Sequence, residues 1–302
     1  MIIMEKEDTA AKNSRLEELK PHLREMQDLF KMLMKNRLTA TGLIIVLTTV
    51  IIAVLAPVIS PYDPSKLSLP DRLEGPSPTH LLGTDNFGRD ILSRIFHGTW
   101  ISIFIAISVV IGSFGIGTIV GLLAGYKGGW VDMFLMRITD IFLAFPTFLL
   151  GMVVISALGK GLDNLVIGII VVWWPPYARL VRSAVLVTKQ KPMVEASKVI
   201  GAGFFRIAFS HILPNSIMPS LVLASLDMGF VVLIAAGLSF LGLGVQPPIS
   251  EWGLMVAEGR LYYDTSWWFP TFPGLALSIL VLGFNLLGDG IRDIFDPKLR
   301  GG

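Results

Sequence analysis

The sequence predicts an all-α protein: a polytopic membrane protein of six transmembrane helices with one short helix outside the bilayer. Three observations predict it. The 302 residues are 53% hydrophobic and only 16% charged, with mean hydropathy +0.67. Soluble domains carry about a quarter charged residues. Apolar runs of about 20 residues alternate with short polar ones, and about 20 helical residues cross the hydrocarbon layer at 1.5 Å each. Lysine and arginine alternate between the connecting segments, 19 of 25 falling on one set. Inside lipid the backbone must satisfy its own hydrogen bonds, so the apolar runs are helices. The short alternating segments of a β-barrel are missing.

The chain opens with a polar arm, 1–37, that lacks the apolar core and small-residue cleavage site of a removable leader. Within it, residues 13–35 place Leu16, Leu19, Leu23, Met26, Leu29 and Phe30 on one side of an amphipathic helix. The first span is 38–59, stopped at Ser60-Pro61. A polar, proline-rich segment, 60–99, follows on the outer side. Residues 100–290 form the core, with spans over 100–124, 134–158, 165–185, 217–241 and 272–287. A basic stretch, 189–214, separates the fourth and fifth. Residues 291–302 are a short charged tail. The basic set of segments marks the cytoplasmic side, which puts both termini there. Tyr262, Tyr263, Trp267, Trp268 and Phe269 suit an interfacial belt on the opposite surface.

Several function classes are excluded or disfavoured. A net charge of +2 without a basic face gives no footing for nucleic acid. The absence of cysteine removes disulfides, iron–sulfur clusters and thiolate metal sites. His22, His80, His97 and His211 are scattered without ligand spacing, so no metal site is expected. No Gly-x-x-x-x-Gly-Lys-Ser/Thr loop exists to hold a nucleotide, and no Gly-x-Ser-x-Gly elbow or other catalytic cluster is present. A secondary transporter would carry an inverted repeat and a coupling-ion site, and neither is visible.

Charges within spans cost about 2.5–3.5 kcal/mol each and mark interior or wet surfaces. Asp227 lies ten residues into the fifth span. It either lines a pathway, meeting an amino group or Ni²⁺, or is hydrogen-bonded within the bundle. Arg137 and Asp140, three apart on one helical face, can form a structural ion pair. Trp173, Trp174, Pro175 and Pro176 can kink the fourth span and line a cavity, or face lipid. Gly117, Gly121 and Gly125 form a small-residue stripe for close packing, within the chain or against a second subunit. The 242–269 loop, with Gln246, Pro247, Pro248, Glu251 and Trp252, is too long for a tight turn and suits an ordered outer surface or gate.

The stretch Lys191-Pro192-Met193-Val194-Glu195-Ala196-Ser197 reads as a short helix. Pro192 suits its first turn. Gly201 and Gly203 end it after about two turns. A second helix follows and is interrupted at Pro214. The short helix offers Met193, Val194, Ala196 and Val199 to a cytoplasmic partner.

Glu195-Ala196-Ser197, Gly201 and Ile212-Leu213-Pro214 resemble the signature of inner-membrane permeases of binding-protein-dependent ABC importers, with Ser197 in place of a second alanine. His80–Arg94, Gly237–Gly253, Gly288–Asp293 and Asp296–Arg300 are similar to matching segments of "C"-type subunits of the dipeptide, oligopeptide and nickel permease family. The resemblance implies the type I importer permease fold. It implies that Met193, Val194, Glu195, Ala196, Ser197 and Gly201 form the coupling helix that docks on an ATPase subunit. It implies a second, homologous permease subunit, two ATPase subunits holding ATP and Mg, and an extracytoplasmic substrate-binding protein received by the outer loops. This chain itself would hold no cofactor. The expected substrate is a di- or oligopeptide, with nickel or a nickel chelate as the alternative.

Overall fold

The computed structural model describes residues 32–34 and 36–295. The amphipathic helix expected over 13–35 and the motif Asp296–Arg300 lie almost wholly outside the described residues. By length and composition, five helices among the described residues can cross a membrane, and six if a helix pair bent by 96° counts as one span.

Helix α1, Arg37–Ile59, is capped by Asn36, whose side chain accepts from the Leu38 N–H at 3.0 Å. A polar segment with one turn of 3₁₀ helix, Leu69–Asp71, leads to α2, Ile91–Lys127. The second span therefore begins nine residues before the expected Trp100, and the outer segment ends at residue 90 instead of 99. The cause is Asp90, whose carboxylate accepts from the Ser93 N–H at 2.8 Å and the Ser93 hydroxyl at 2.7 Å. That cap lets Ser93 and Arg94, polar residues that read as loop, continue an apolar helix.

The expected third span is a sharply bent helix pair. Helix α3, Gly129–Ala144, and α4, Thr147–Leu158, meet at 96°. Pro146 drives Phe145 into extended backbone, because its ring clashes with a helical preceding residue. The fourth span is α5, Leu162–Trp173, followed by α6, Pro175–Thr188. Pro175 sits in the first turn of α6, where its missing N–H costs nothing, and the two form a single span of 27 residues.

Helix α7 is Pro192–Val199. The turn at Gly201 has φ +77°, a conformation glycine adopts without strain. Then come α8, Phe204–Ile207, a π-helical turn over Ala208–Ile212, and α9, Leu213–Ser216. The fifth span is α10, Met218–Phe240. The following loop holds α11, Trp252–Gly259, and the last span is α12, Trp268–Phe295. At 28 residues α12 extends past both expected ends, into the aromatic cluster and into the tail.

Glycines set the closest helix contacts. A Cβ on Gly117, Gly121 or Gly125 of α2 would stand 2.4–2.8 Å from atoms of Tyr177, Ala178 and Val185 on α6. The stripe thus packs within the chain. Gly42 of α1 lies equally close to Leu287 and Gly283 of α12. The core has three parts. Ile105, Val109, Ile169, Val231 and Leu238 fill one, Ile103, Val232, Phe269 and Phe284 the second, and Leu122, Val181, Val185, Val194 and Ile207 the third. The alternation of helices puts the 60–90 and 242–267 segments at one end of the bundle and α7–α9 at the other.

Candidate functional site

Three places in this bundle carry chemistry-bearing side chains. At the α7 end, the helix is anchored by one side. Val194 is fully buried among Leu122, Val185, Ala208 and Ile212, and the buried Ser197 hydroxyl donates to the Met193 carbonyl at 2.8 Å. Val194 and Ser197 therefore face the bundle, not a partner, in contrast to the sequence expectation. Met193, Glu195, Ala196 and Gly201 are exposed. Val199 and Ile200, at 86% and 77% exposure, extend the open face to Phe205, which stacks on Phe209 with ring centroids 6.3 Å apart. Lys191, Lys198 and Arg206 flank it.

The second place is Asp227, midway along α10. Trp173 Nε1–H donates to its Oδ2 at 2.9 Å and the Tyr177 hydroxyl donates to the same oxygen at 2.7 Å. Trp173 and Tyr177 are four apart across the Pro175 junction, so α5 and α6 aim both at one carboxylate. Phe114 meets the Tyr177 ring edge-on at 5.9 Å. Sequence reasoning singled out Asp227 and Trp173 separately and missed Tyr177. The four-residue spacing from Trp173 was the available signal. Trp174 does not join them. It is buried and packs edge-on to Phe142 at 5.5 Å.

The expected pair of Arg137 with Asp140 does not form. Arg179 Nη2 donates to Asp140 Oδ1 at 2.6 Å, and Arg182 donates through two nitrogens to Asp132. Both bridges tie α3 to α6, because α6 presents its arginines one turn apart toward the two aspartates.

The third place is the loop end. Asp85 is fully buried and accepts from Arg89 Nε at 2.6 Å and from Arg94 Nη1, while Glu258 of α11 stands 3.4 Å and 3.2 Å from the same two arginines. His80 Nδ1–H donates to Asp90 at 3.0 Å. Trp268 Nε1–H donates to the Thr84 carbonyl at 3.3 Å. These bonds clamp the 60–90 segment onto α2, α11 and α12.

The expected outer surface is only partly outer. Glu251 and Trp252 are each 2% exposed. Glu251 caps α11 by accepting from the N–H groups of Gly253 and Leu254, both at 2.8 Å, and Trp252 Nε1–H donates to the Ile95 carbonyl at 3.1 Å. Burial pushes the Glu251 carboxyl above the ordinary glutamate range, against the pull of those two N–H donors. Phe269 of the aromatic cluster is likewise buried. Pro247 and Pro248 remain exposed, and the Gln246 side-chain amide donates to the Gly244 carbonyl at 3.0 Å. Pro248 helps line a cavity of about 700 Å³ together with Ala53, Pro57, His97 and Trp100.

The same fold occurs in a solved ABC transporter. A chain from the solved structure of the MetNI methionine ABC transporter, described as inward facing, matches with TM-score 0.52 and 22% identity over 67% of this chain and 97% of its own length. Residues 117–301 match the family of binding-protein-dependent transport system inner membrane components. Residues 25–76 match the N-terminal TM domain of oligopeptide transport permease C. The dipeptide transport system permease protein DppC of Alkalihalophilus pseudofirmus is 43% identical over 91% of this chain and 90% of its own. The di/tripeptide transport system permease protein DppC of Pseudomonas aeruginosa is 44% identical over 88% of this chain and 89% of its own. The chain belongs to the binding-protein-dependent transport system inner membrane component family, whose members are multi-pass subunits of the inner membrane.

Proposed function

We propose that this permease forms half of an ATP-driven import pathway for dipeptides and short oligopeptides. The observation that carries the reading is the open face of the α7 region. Val199 at the end of α7, Ile200 just after it, and Phe205 and Phe209 in α8 and the turn that follows form an exposed apolar ridge flanked by Lys198 and Arg206, with α7 anchored through Val194. A ridge of this kind, rimmed by charge, suits a protein partner. The partner is a separate ATPase subunit that binds ATP and Mg, and two such subunits serve the pair of permeases. A homologous second permease completes the pathway. A substrate-binding protein docks at the 60–90 and 242–267 end, through Pro247 and Pro248 and not through Glu251 or Trp252. The α7 end and both termini are cytoplasmic, as the distribution of lysine and arginine supports. The names of the similar permeases support peptides over a nickel chelate.

The test is reconstitution of the full complex in proteoliposomes with a dipeptide-loaded binding protein. Val199→Asp combined with Ile200→Asp is expected to lower dipeptide-stimulated ATP hydrolysis and uptake at least tenfold and to abolish co-purification of the ATPase. Thermal stability should hold, because both side chains are exposed. Unchanged uptake by the double variant would remove the α7 face from the coupling role.

A further inference from the structure

The geometry points to Asp227 as the group within the pathway that receives the protonated amino terminus of the peptide. This inference rests on the import reading above and names the chemistry of one point on the route. Both intramolecular hydrogen bonds fall on Oδ2, and Oδ1 accepts none. Nor is Oδ1 among the sealed, partnerless polar atoms of the described residues. Asp227 keeps 9% exposure, and Phe230, less than one turn further along α10, is 58% exposed. The carboxylate therefore stands at the edge of an open face with one oxygen held and one oxygen free.

That face does not suit lipid. A carboxylate near the middle of a span is tolerated where it faces water, protein or a passing ligand. Asp227 lies about 14 Å along α10 from Met218, near the centre of the helix. The broken third span supplies an independent argument. Ala144, Phe145 and Pro146 are exposed, and Phe145 is extended, outside the helical ladder. Backbone interrupted at membrane depth is tolerated only inside protein or along a wet cavity. Just after the break, Phe148 packs against the core of Ile155, Ile169 and Val231, as Trp173 does.

The donor set selects the cation. Among the described residues no group of three His, Cys, Asp or Glu side chains converges as a metal site. Asp227 is instead bracketed by an indole and a phenol. A lone carboxylate with one oxygen held by an indole N–H and a phenol O–H leaves its second oxygen for an ammonium group, which gains a charge-assisted hydrogen bond there. Trp173 and Tyr177 act as positioning residues, fixing Oδ2 so that Oδ1 is presented at a constant angle.

The test uses the complete transporter in proteoliposomes with a free-amino dipeptide, reading uptake and ATP hydrolysis in the same vesicles. Asp227→Asn keeps the shape and removes the charge. It is expected to lower the peptide moved per ATP at least tenfold, while hydrolysis stimulated by the loaded binding protein stays within twofold. Asp227→Glu should recover part of that ratio, and Tyr177→Phe should give an intermediate loss. Wild-type uptake per ATP in Asp227→Asn would overturn the assignment. So would a joint fall of hydrolysis and uptake that Asp227→Glu does not relieve, since that pattern reports packing. If the unmodified complex moves no dipeptide at all, the import reading itself fails, a result distinct from a fully active Asp227→Asn.

Discussion

Asp85→Ala is expected to destabilise the chain by about 3–5 kcal/mol, the range found when one partner of a buried ion pair is removed. Arg89 and Arg94 are 3% and 0% exposed at the side chain, and Asp85 is the carboxylate nearest to both. Without it, two guanidinium groups share only Glu258, which is 14% exposed and further away. Asp85 also accepts from the N–H groups of Phe87 and Arg89 at 2.8 Å and 3.0 Å, so the turn before α2 loses its support as well. Thermal unfolding of the purified protein in detergent checks this. Arg94→Met, which leaves Asp85 paired with Arg89, should melt well above Asp85→Ala. Equal melting of Asp85→Ala and wild type would show that the network contributes nothing.

Gly121→Ala should lower stability by about 1–3 kcal/mol, the usual cost of overpacking a filled contact. The added Cβ would stand 2.5 Å from the Ala178 carbonyl oxygen and 2.9 Å from the Arg182 nitrogen, both backbone atoms that cannot rotate away. Helices α2 and α6 would have to separate. Gly115 provides the control, because a Cβ there meets nothing within 4 Å. Gly115→Ala should leave the melting temperature unchanged or raise it, since alanine favours the helix by up to about 1 kcal/mol. Matching losses in the two variants would indicate a general effect of helix composition and not the α2–α6 contact.

The spans were legible because each is an apolar run of a length that bilayer thickness dictates, and Asp227 could be placed at depth by counting along its run. Their ends were less so. Ser93 and Arg94 have loop composition, yet they are helical because Asp90 caps the turn and buried partners from distant segments satisfy them. The break at Pro146 was hidden for a related reason. A proline inside an apolar run signals a disturbance but not its size, and the 96° bend depends on how α4 packs against α5 through Ile155 and Gly168. Spacing on one helix suggested Arg137 with Asp140, whereas the observed bridges join residues 39 and 50 positions apart. Local periodicity carries no information on such pairs. Glu251 and Trp252 looked like surface residues because loops that follow membrane spans are usually wet. Here the loop folds back onto α2 and α10, and the glutamate caps a buried helix. The α7 helix was readable from Pro192 and Gly201, but which of its sides faces inward depends on the cluster around Val194, assembled from four separate helices and turns.

Helix α2 is continuous over 37 residues, about 55 Å, with no proline within it. Near one tip Leu122 packs beside Val194, and near the other Arg94 is locked to Asp85 and Glu258. Gly117 to Gly125 seat its lower half rigidly on α6. A stiff beam held at both tips cannot flex locally to absorb a push. The anchor of α7 and the clamp on the 60–90 segment are thus fastened to one and the same unbroken element, so the two ends of the molecule share a common strut.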